Sequence, residues 1–248
     1  MNAFGDATYG DRIADLYDEW YPPDALGGVD ATVEFLSAFA DGGMALELGI
    51  GTGRIALPLA ATGVTVRGID ASAAMVAKLH AKDPAIQVTL GTFADFSLAE
   101  RFSLVYVVFN TFFALTTEDE QASCMRAIAR HLTPGGVFVM TTFVPDPARF
   151  HRGQRVGVTR ISVDEVTLEA SKVDPTDDHR IESVYVVLTD GQPVRVLPVR
   201  IRYAYPAELD LLAEGAGLRL RERWADWDRT PFDASSKTHV SVWELEES

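Results

Sequence analysis

Four residues in one short segment, Glu47, Gly49, Gly51 and Gly53, have the types and spacing that ligand binding requires. The glycines let the backbone turn sharply and approach a ligand without a Cβ clash, and the carboxylate beside them can accept hydrogen bonds from a cationic amino group. Asp70 lies seventeen residues past Gly53 and ends a predicted strand. A carboxylate there can accept hydrogen bonds from both hydroxyls of a ribose, and a charge-assisted hydrogen bond of this kind contributes about 1.5–3 kcal/mol. The pattern predicts a ribose-bearing ligand with an ammonium group and no pyrophosphate, because pyrophosphate sites use the spacing G-x-G-x-x-G.

This segment lies in a region where short apolar strands alternate with helices or connections. In chain order the predicted strands are Met44–Leu48, Val64–Ile69, Ile86–Leu90, Leu104–Phe109 and Val137–Phe143. Such alternation predicts a doubly wound α/β domain, whose parallel sheet is covered on both faces. Ligands of these sheets bind outside the carboxyl ends of the strands, which is where the glycine segment lies.

Helix signals flank and separate these strands. Residues 11–21 place apolar and aromatic side chains at helical spacing, and Asp30 is the predicted N-cap of a second helix. Thr117 and Glu120 form a predicted capping box at the start of another helix. The remaining predicted elements are helices at 54–61, 72–82 and 206–214 and strands at Leu218–Trp224 and Thr238–Leu245.

The pattern changes after Pro147, where β-branched runs are typical of antiparallel strands. Three strands are predicted here, at Val163–Val173, Ile181–Leu188 and Val194–Tyr203. Residues 146–205 contain nine Lys or Arg and nine Asp or Glu, so the net charge of −14 lies entirely in the rest of the chain. The predicted organisation is a host domain of residues 1–145 and 206–248, in which 1–43 form an N-terminal helical lid, with an antiparallel insertion at 146–205.

Composition excludes several classes of partner. A net charge of −14 over 248 residues repels phosphate backbones, so nucleic acid is not an expected partner. No segment approaches the roughly 18 uninterrupted apolar residues of a membrane helix, and the acidic N-terminus does not resemble a signal peptide. Cys124, the one cysteine, agrees with a reducing compartment. We therefore expect a cytoplasmic protein that does not bind membranes.

The segment Leu46–Arg54 strongly resembles motif I of class I S-adenosylmethionine-dependent methyltransferases. Asp70 matches the ribose-binding acid of that family, residues 91–96 resemble its adenine loop, and residues 132–136 resemble the turn before its fifth strand. Within the superfamily, the segment Ala14–Asp18 and the β insertion resemble the N-methyltransferases that dimethylate nucleotide-linked amino sugars in antibiotic pathways.

The resemblance implies a Rossmann-like sheet of seven mostly parallel strands with the last antiparallel, S-adenosylmethionine as cofactor, and an insertion after the fifth strand that covers the acceptor pocket. The cofactor-binding residues it implies are Tyr9, Tyr17, Glu47, Gly49, Gly51, Gly53, Asp70, Ala71, Met75, Thr92, Phe93 and Phe109. The expected pocket residues for a small-molecule acceptor are Trp20, Tyr21, Phe112, Phe113 and Phe143. Tyr17 and Asn110 are the polar groups expected beside the sulfonium and the acceptor, and no metal ligands are expected.

Several of these residues also have a structural interpretation. Tyr17 and Trp20 lie on a helical apolar stripe, which is typical of packing. Asn110 follows a buried strand and fits a turn, and Phe112 and Phe113 fit the core of the domain.

The sequence departs from the family pattern in the adenine loop. Many relatives carry Asp directly after the loop glycine, to bind the exocyclic amine, whereas this chain has Thr92. Asp95 follows three residues later, and we do not assign it the missing role.

Arginines of the insertion have two interpretations. Arg195, Arg200 and Arg202 fit either contacts to an anionic acceptor or a solvated strand face. His179 and His239 lack neighbours at metal-ligand spacing and are interpreted as structural or surface residues.

The expected reaction, an in-line displacement at a sulfonium, requires the protein mainly to orient the nucleophile. An amine with a free lone pair needs no strong general base, whereas a hydroxyl must lose its proton. The sequence shows no clear His–acid pair at the expected site, which favours N-methylation of a small molecule in a tailoring pathway. The alternatives are a small-molecule O-methyltransferase, a dinucleotide-dependent oxidoreductase and a non-catalytic protein of the nucleotide-binding fold. The insertion is also a candidate homodimer surface, because exposed edge strands have to be covered.

Overall fold

The computed structural model, which describes residues 5, 7–22, 28–173 and 179–246, contains two β-sheets. The strands of the main sheet are β1 (Met44–Leu48), β2 (Thr65–Asp70), β3 (Gln87–Leu90), β4 (Phe102–Val107), β5 (Leu132–Phe143), β10 (Leu218–Trp224) and β11 (Thr238–Leu245). The second sheet consists of β6 (Gln154–Ile161), β7 (Glu165–Val173), β8 (Arg180–Thr189) and β9 (Arg195–Arg202).

The main sheet has the order β10-β11-β5-β4-β1-β2-β3. Strand β11 pairs antiparallel with both of its neighbours, and the other pairs are parallel. The predicted fold class is therefore confirmed, including the antiparallel last strand. The chain runs from β1 to β3 in one direction and places β4 on the other side of β1, so the strand order reverses at the carboxyl ends of β1 and β4.

Helices cover both faces of this sheet because both faces are apolar. Leu104, Val105 and Tyr106 are consecutive in β4 and are all fully buried. The helices are α1 (Thr8–Ile13), α2 (Tyr17–Trp20), α3 (Val29–Ala40), α4 (Ala56–Ala61), α5 (Ala73–Lys82), α6 (Glu118–His131) and α7 (Pro206–Glu214). Helices α6 and α7 contribute to one buried cluster, and α3, α4 and α5 contribute to the other.

Two predicted features of the N-terminal helices were wrong. The single helix predicted at 11–21 is divided between α1 and α2 by a turn. Asp30 is not an N-cap, since α3 begins at Val29 after Gly28, whose φ is 80°. The Thr32 hydroxyl donates to the Gly28 carbonyl oxygen at 2.9 Å, so this end depends on backbone geometry that glycine supplies. The predicted capping box of Thr117 and Glu120 is present at α6.

The second sheet has four strands, whereas the sequence predicted three. Strand β6 was missed because it lies at the edge of the sheet and is interrupted by Gly157. A strand predicted to begin at Val163 begins instead at Glu165, because Ser162 and Asp164 form a turn in which the Ser162 hydroxyl donates to the Asp164 carboxylate.

Arg202 of β9 fixes the second sheet to α6. Its guanidinium, 4% exposed, donates to the Gln121 side-chain oxygen at 2.7 Å and to the Glu118 carboxylate at 2.8 Å. The Gln121 amide donates in return to the Arg202 carbonyl oxygen. Neither interpretation of Arg202 from the sequence was right, because the side chain lies neither on a solvated face nor against a ligand site.

Two searches of the described residues were negative. No helix there is long and apolar enough to cross a membrane. Within the same ranges no group of three or more His, Cys, Asp or Glu side chains could hold a metal ion.

Candidate active site

The glycine segment connects β1 to α4 and is held against the end of β2. The amide N–H groups of Gly49 and Ile50 both donate to the Ile69 carbonyl oxygen, at 2.8 and 3.1 Å. The two carboxylate oxygens of Asp70 accept from the amides of Gly51 and Ser72, at 2.7 and 2.8 Å. Asp70 thus fixes the two loops that follow β1 and β2.

Backbone conformation explains the three glycines. Gly49, Gly51 and Gly53 have φ values of 71°, 58° and 82°, in the left-handed region that L side chains rarely adopt. A Cβ at Gly49 would also collide with the Thr111 methyl group, and one at Gly53 would collide with Leu79. The close packing of the glycine segment against Thr111 and Leu79 therefore requires glycine at positions 49 and 53.

A cavity of about 550 Å³ opens beside this segment. The glycine segment and the N-terminal helices form one end, and the inner face of the second sheet forms the other. The residues of this cavity that the sequence analysis selected are Tyr9, Tyr17, Tyr21, Gly49, Gly51, Asp70, Ala71, Met75, Phe93, Phe109, Asn110 and Phe143.

The other selected residues lie outside the cavity lining: Trp20, Glu47, Gly53, Thr92, Phe112 and Phe113. The expectation that Phe112 and Phe113 line the pocket was wrong, since a short 3₁₀ helix turns both into the main core, where they are fully buried. Trp20 was also wrong as a pocket residue, because it packs edge-on against Tyr185 at 6.2 Å between ring centroids.

Glu47 is buried beneath the cavity floor and accepts a hydrogen bond from the Tyr106 hydroxyl at 2.9 Å. Burial raises the pKa of Glu47 to about 8, although the Tyr106 hydrogen bond and the nearby Arg54 guanidinium both act to lower it. The pKa of this carboxyl is therefore close to neutral pH. A cation placed near it would favour its ionised form.

Three tyrosines from the N-terminal segment line the cavity above the glycine segment. The hydroxyls of Tyr9 and Tyr21 lie 3.4 Å apart, and the ring centroids of Tyr17 and Tyr21 are 4.9 Å apart. Burial raises the pKa of Tyr17 to about 12, against the opposing effect of the Arg54 guanidinium, and burial also raises the pKa of Tyr9 above its ordinary value. Both phenols are consequently neutral hydrogen-bonding groups at neutral pH.

Acidic residues of these helices bind the segments that flank the cavity. The Ser72 hydroxyl donates to Asp11 and the Thr52 hydroxyl donates to Asp18, both at 2.6 Å. Lys82 also pairs with Asp18 at 2.6 Å. These pairs join residues that are far apart in the chain, so they leave no local sequence pattern from which they could be predicted.

Asn110 both stabilises the turn after β4 and lines the cavity. It adopts φ 63°, and its side-chain oxygen accepts from the Phe143 amide at 2.7 Å. The turn interpretation is therefore right, and the position at the cavity wall agrees with the functional one.

Neither polar residue of the presumed adenine loop offers an acid to the cavity. The Thr92 hydroxyl accepts from the Ala94 amide at 3.2 Å. Asp95 pairs with Arg130 at 2.7 Å on the surface. Neither Thr92 nor Asp95 lies in the cavity lining.

The two histidines considered earlier lie outside the cavity lining as well. His239 is buried between Thr142 and Ser241, and burial lowers its pKa to about 3. His179 stacks on Tyr203 at 4.8 Å.

Comparison with known proteins places this geometry in a family. Residues 45–136 match the profile of a methyltransferase domain. The structure is similar to that of the CcbJ methyltransferase from Streptomyces caelestis, with a TM-score of 0.92 and 43% identity, over 98% of this chain and 100% of that one. The chain belongs to the S-adenosylmethionine-dependent methyltransferase family. This result removes the oxidoreductase and the non-catalytic alternatives.

The names of related proteins give different acceptors for the methyl group. This methyltransferase is 29% identical to the cypemycin N-terminal methyltransferase of a Streptomyces species, over 82% of this chain and 84% of that protein. It is 34% identical to the dTDP-3-amino-3,6-dideoxy-alpha-D-glucopyranose N,N-dimethyltransferase of Streptomyces fradiae, over 38% and 37%. A ubiquinone biosynthesis O-methyltransferase of Burkholderia ambifaria is 30% identical, over 53% and 60%.

The residues of the methyltransferase cavity fit S-adenosylmethionine. The glycine segment leaves backbone exposed where a side chain would fill the space, and the Asp70 carboxylate ends β2 beside it. Met75 and Phe93 add apolar surface to the same wall, as a purine ring requires.

We expect Asp70→Asn to weaken binding of S-adenosylhomocysteine by about 1.5–3 kcal/mol, because it removes a charged acceptor. Isothermal titration calorimetry measures this loss directly. Asp95→Asn is the matched control, since that carboxylate pairs on the surface with Arg130, and its affinity should equal that of the wild type. Equal affinity for Asp70→Asn and wild type would contradict the ribose role.

We also expect Glu47→Gln to change how stability depends on pH. The folded-state pKa of Glu47 is about 8 against an ordinary 4.5, so the folded protein binds this proton more tightly than the unfolded chain. The contribution of Glu47 to the free energy of unfolding therefore falls as the pH rises from 4.5 to 8. Since Gln does not titrate, the variant should gain stability relative to wild type between pH 5 and pH 8.

Urea unfolding of the cofactor-free protein at pH 5, 6.5 and 8 tests this expectation. Exposed Glu214 provides the control, since the difference between Glu214→Gln and wild type should not change with pH. A pH-independent difference for Glu47→Gln would show that the carboxyl titrates normally.

Proposed function

We propose that this methyltransferase transfers a methyl group to the amine nitrogen of a small-molecule acceptor in a tailoring pathway. Bound S-adenosylmethionine would supply the methyl group on a positively charged sulfur. The observation that carries the proposal is the set of groups beside the glycine segment, where neutral phenols line the cavity and no histidine is found among the described lining residues. The expectation of a cytoplasmic enzyme, favoured by the buried thiol of Cys124, belongs to the same proposal.

The cavity suits an amine better than a hydroxyl acceptor. No histidine is present among the described residues of its lining, and Tyr17, with a pKa of about 12, is a poor proton acceptor at neutral pH. A hydroxyl nucleophile has to lose its proton during attack, whereas a neutral amine attacks with a free lone pair. The names of the cypemycin and amino-sugar relatives agree with nitrogen as the acceptor atom.

The protein's own contribution to the rate of methyl transfer is the orientation of the cofactor and the acceptor. We assign cofactor binding to residues 1–145 and 206–248, through the glycine segment, Asp70 and the N-terminal tyrosines. Residues 146–205 cover the acceptor. Tyr17 and Asn110 orient the reacting groups, and Phe109 and Phe143 exclude water from them. Holding the nucleophile in line can lower a barrier by about 7–11 kcal/mol.

The test is an acceptor screen with S-adenosylmethionine, read by mass spectrometry of the product. It pairs amino sugars and peptide N-termini with matched compounds in which a hydroxyl replaces the amine. The proposal expects a mass gain of one or two methyl groups on amines alone. Methylation of hydroxyl compounds alone would support the O-methyltransferase alternative, with which the similarity to ubiquinone O-methyltransferases agrees.

With an amine acceptor from that screen, Tyr17→Phe should lower kcat by about tenfold at saturating S-adenosylmethionine, because the lost hydroxyl orients the reacting groups. Tyr205→Phe is the control, since Tyr205 lies outside the cavity lining. Wild-type kinetics for Tyr17→Phe would assign Tyr17 to packing.

We further propose that the outer face of the second sheet joins two copies of the chain. Strand register places apolar residues of all four strands on this face: Val156, Val158, Ile161, Val166, Leu168, Ala170, Val184, Val186, Leu188, Val196 and Pro198. Val156 and Val158 are 72% and 60% exposed. A continuous apolar face of this kind is typical of an interface, and a two-fold axis would cover it with a second identical face.

Val158→Lys should therefore shift the sedimentation coefficient from that of a dimer to that of a monomer, because a charged side chain on the face opposes its burial in an interface. The control is Leu211→Lys, whose side chain is exposed on α7 away from this face. A monomeric wild type at micromolar concentration would contradict the proposal.

A further inference from the structure

Glu169 lies on the inner face of β7, inside the cavity and opposite the glycine segment. The proposed reaction leaves it without a role. Its neighbours on the same face are Ser171 and, across the strand pair, Ser183 and Tyr185. A carboxylate on a cavity wall is costly unless its charge is compensated, so its partners in the structure are informative.

The protein satisfies the Glu169 carboxylate only in part. One oxygen accepts from the Ser171 hydroxyl at 3.0 Å, and the other lies 3.5 Å from a guanidinium nitrogen of Arg155. The Arg155 distance is long for a charge-assisted bond, which is ordinarily about 2.7–2.9 Å. A carboxylate has about four acceptor positions, so capacity remains on the cavity side.

Aromatic rings surround this carboxylate. Tyr21 and Tyr185 both line the cavity, and Tyr21 packs against Tyr17 and Phe109 at 4.9 Å. Burial raises the pKa of both Tyr21 and Tyr185, and the Glu169 charge acts in the same direction on each, while the Tyr9 hydrogen bond acts to lower the pKa of Tyr21. Strand register places Tyr185 directly opposite Glu169. A carboxylate beside aromatic faces is the combination that binds organic ammonium groups.

We propose that Glu169 and the rings of Tyr21 and Tyr185 bind the acceptor amine in its ammonium form and select amines over hydroxyl compounds of the same shape. This inference rests on the proposed N-methylation and identifies Glu169 as the residue that recognises the positive charge of the acceptor. Alkylamines are cationic at neutral pH, as the side chain of lysine is. Before attack the ammonium must transfer one proton to the Glu169 carboxylate or to solvent, which leaves the neutral amine with a free lone pair. The experiment measures the binding of the cation, which precedes this transfer.

Cyclohexylamine and cyclohexanol are the probes, since they match in shape and differ in charge. Their dissociation constants are measured by ligand-observed NMR at pH 7 and fixed salt, with saturating S-adenosylhomocysteine to prevent turnover. Wild type should bind the amine more tightly than the alcohol. Glu169→Gln should weaken the amine by about tenfold and leave the alcohol unchanged, because only the charged acceptor is lost.

Two further variants distinguish recognition from structural support. Arg155→Met removes the cation that competes for Glu169 and should strengthen amine binding several-fold, a gain that loss of structure would not produce. Glu165→Gln is the control, since Glu165 lies on the same strand outside the cavity lining and pairs with Thr189 and Arg195. It should match wild type with both probes.

The outcomes separate this inference from the proposed function. Equal affinity of wild type for the two probes, or equal loss of both in Glu169→Gln, would overturn the role of Glu169. Weaker amine binding in Arg155→Met would overturn it even if Glu169→Gln failed to fold. If the role of Glu169 is overturned but amines are methylated in the acceptor screen, the proposed N-methylation still holds. Methylation of hydroxyl compounds alone in that screen would overturn the proposed function itself.

Discussion

The pair of hydrogen bonds from the Gly51 and Ser72 amides to Asp70 is the constraint on which the site depends. A carboxylate that accepts two backbone amides orders the loops after β1 and β2 before any ligand arrives, so the ordering entropy is not lost during binding. One of these bonds holds Gly51 directly in its left-handed conformation. Ser72 then carries the constraint to α1 through Asp11.

The chain as a whole carries an excess of negative charge, whereas the described lining of the cavity balances three carboxylates against three guanidinium groups. The acidic excess of the chain is partly used in pairs such as Asp18 with Lys82, at the edge of the cavity. Beside the glycine segment the polar groups are phenols and the Asp70 carboxylate, and the carboxyl of Glu47 is buried with a raised pKa. A low-dielectric site of this kind strengthens the interaction of any cation with the few acceptors that remain.

Local patterns predicted the elements whose signals are strong within a few residues. The limits of β10 and β11 and the α6 capping box were correct, and motif spacing located Asp70 at the end of β2. Orientation could not be predicted: periodicity shows that Phe112 and Phe113 are buried, but only the 3₁₀ turn decides that they face the core. The Glu169 wall was missed for a related reason, since alternation in β7 defines two faces without saying which one meets the cavity.

The contiguity of β6 to β9 in the chain has an evolutionary consequence. These strands supply one wall of the cavity from a single stretch of sequence, whereas the glycine segment and Asp70 come from another. The two walls of the cavity can therefore diverge at different rates, and the second sheet could be exchanged between relatives as a cassette. Such a graft would have to carry the Arg202 contacts with Gln121 and Glu118, because they join the cassette to a helix of the main sheet.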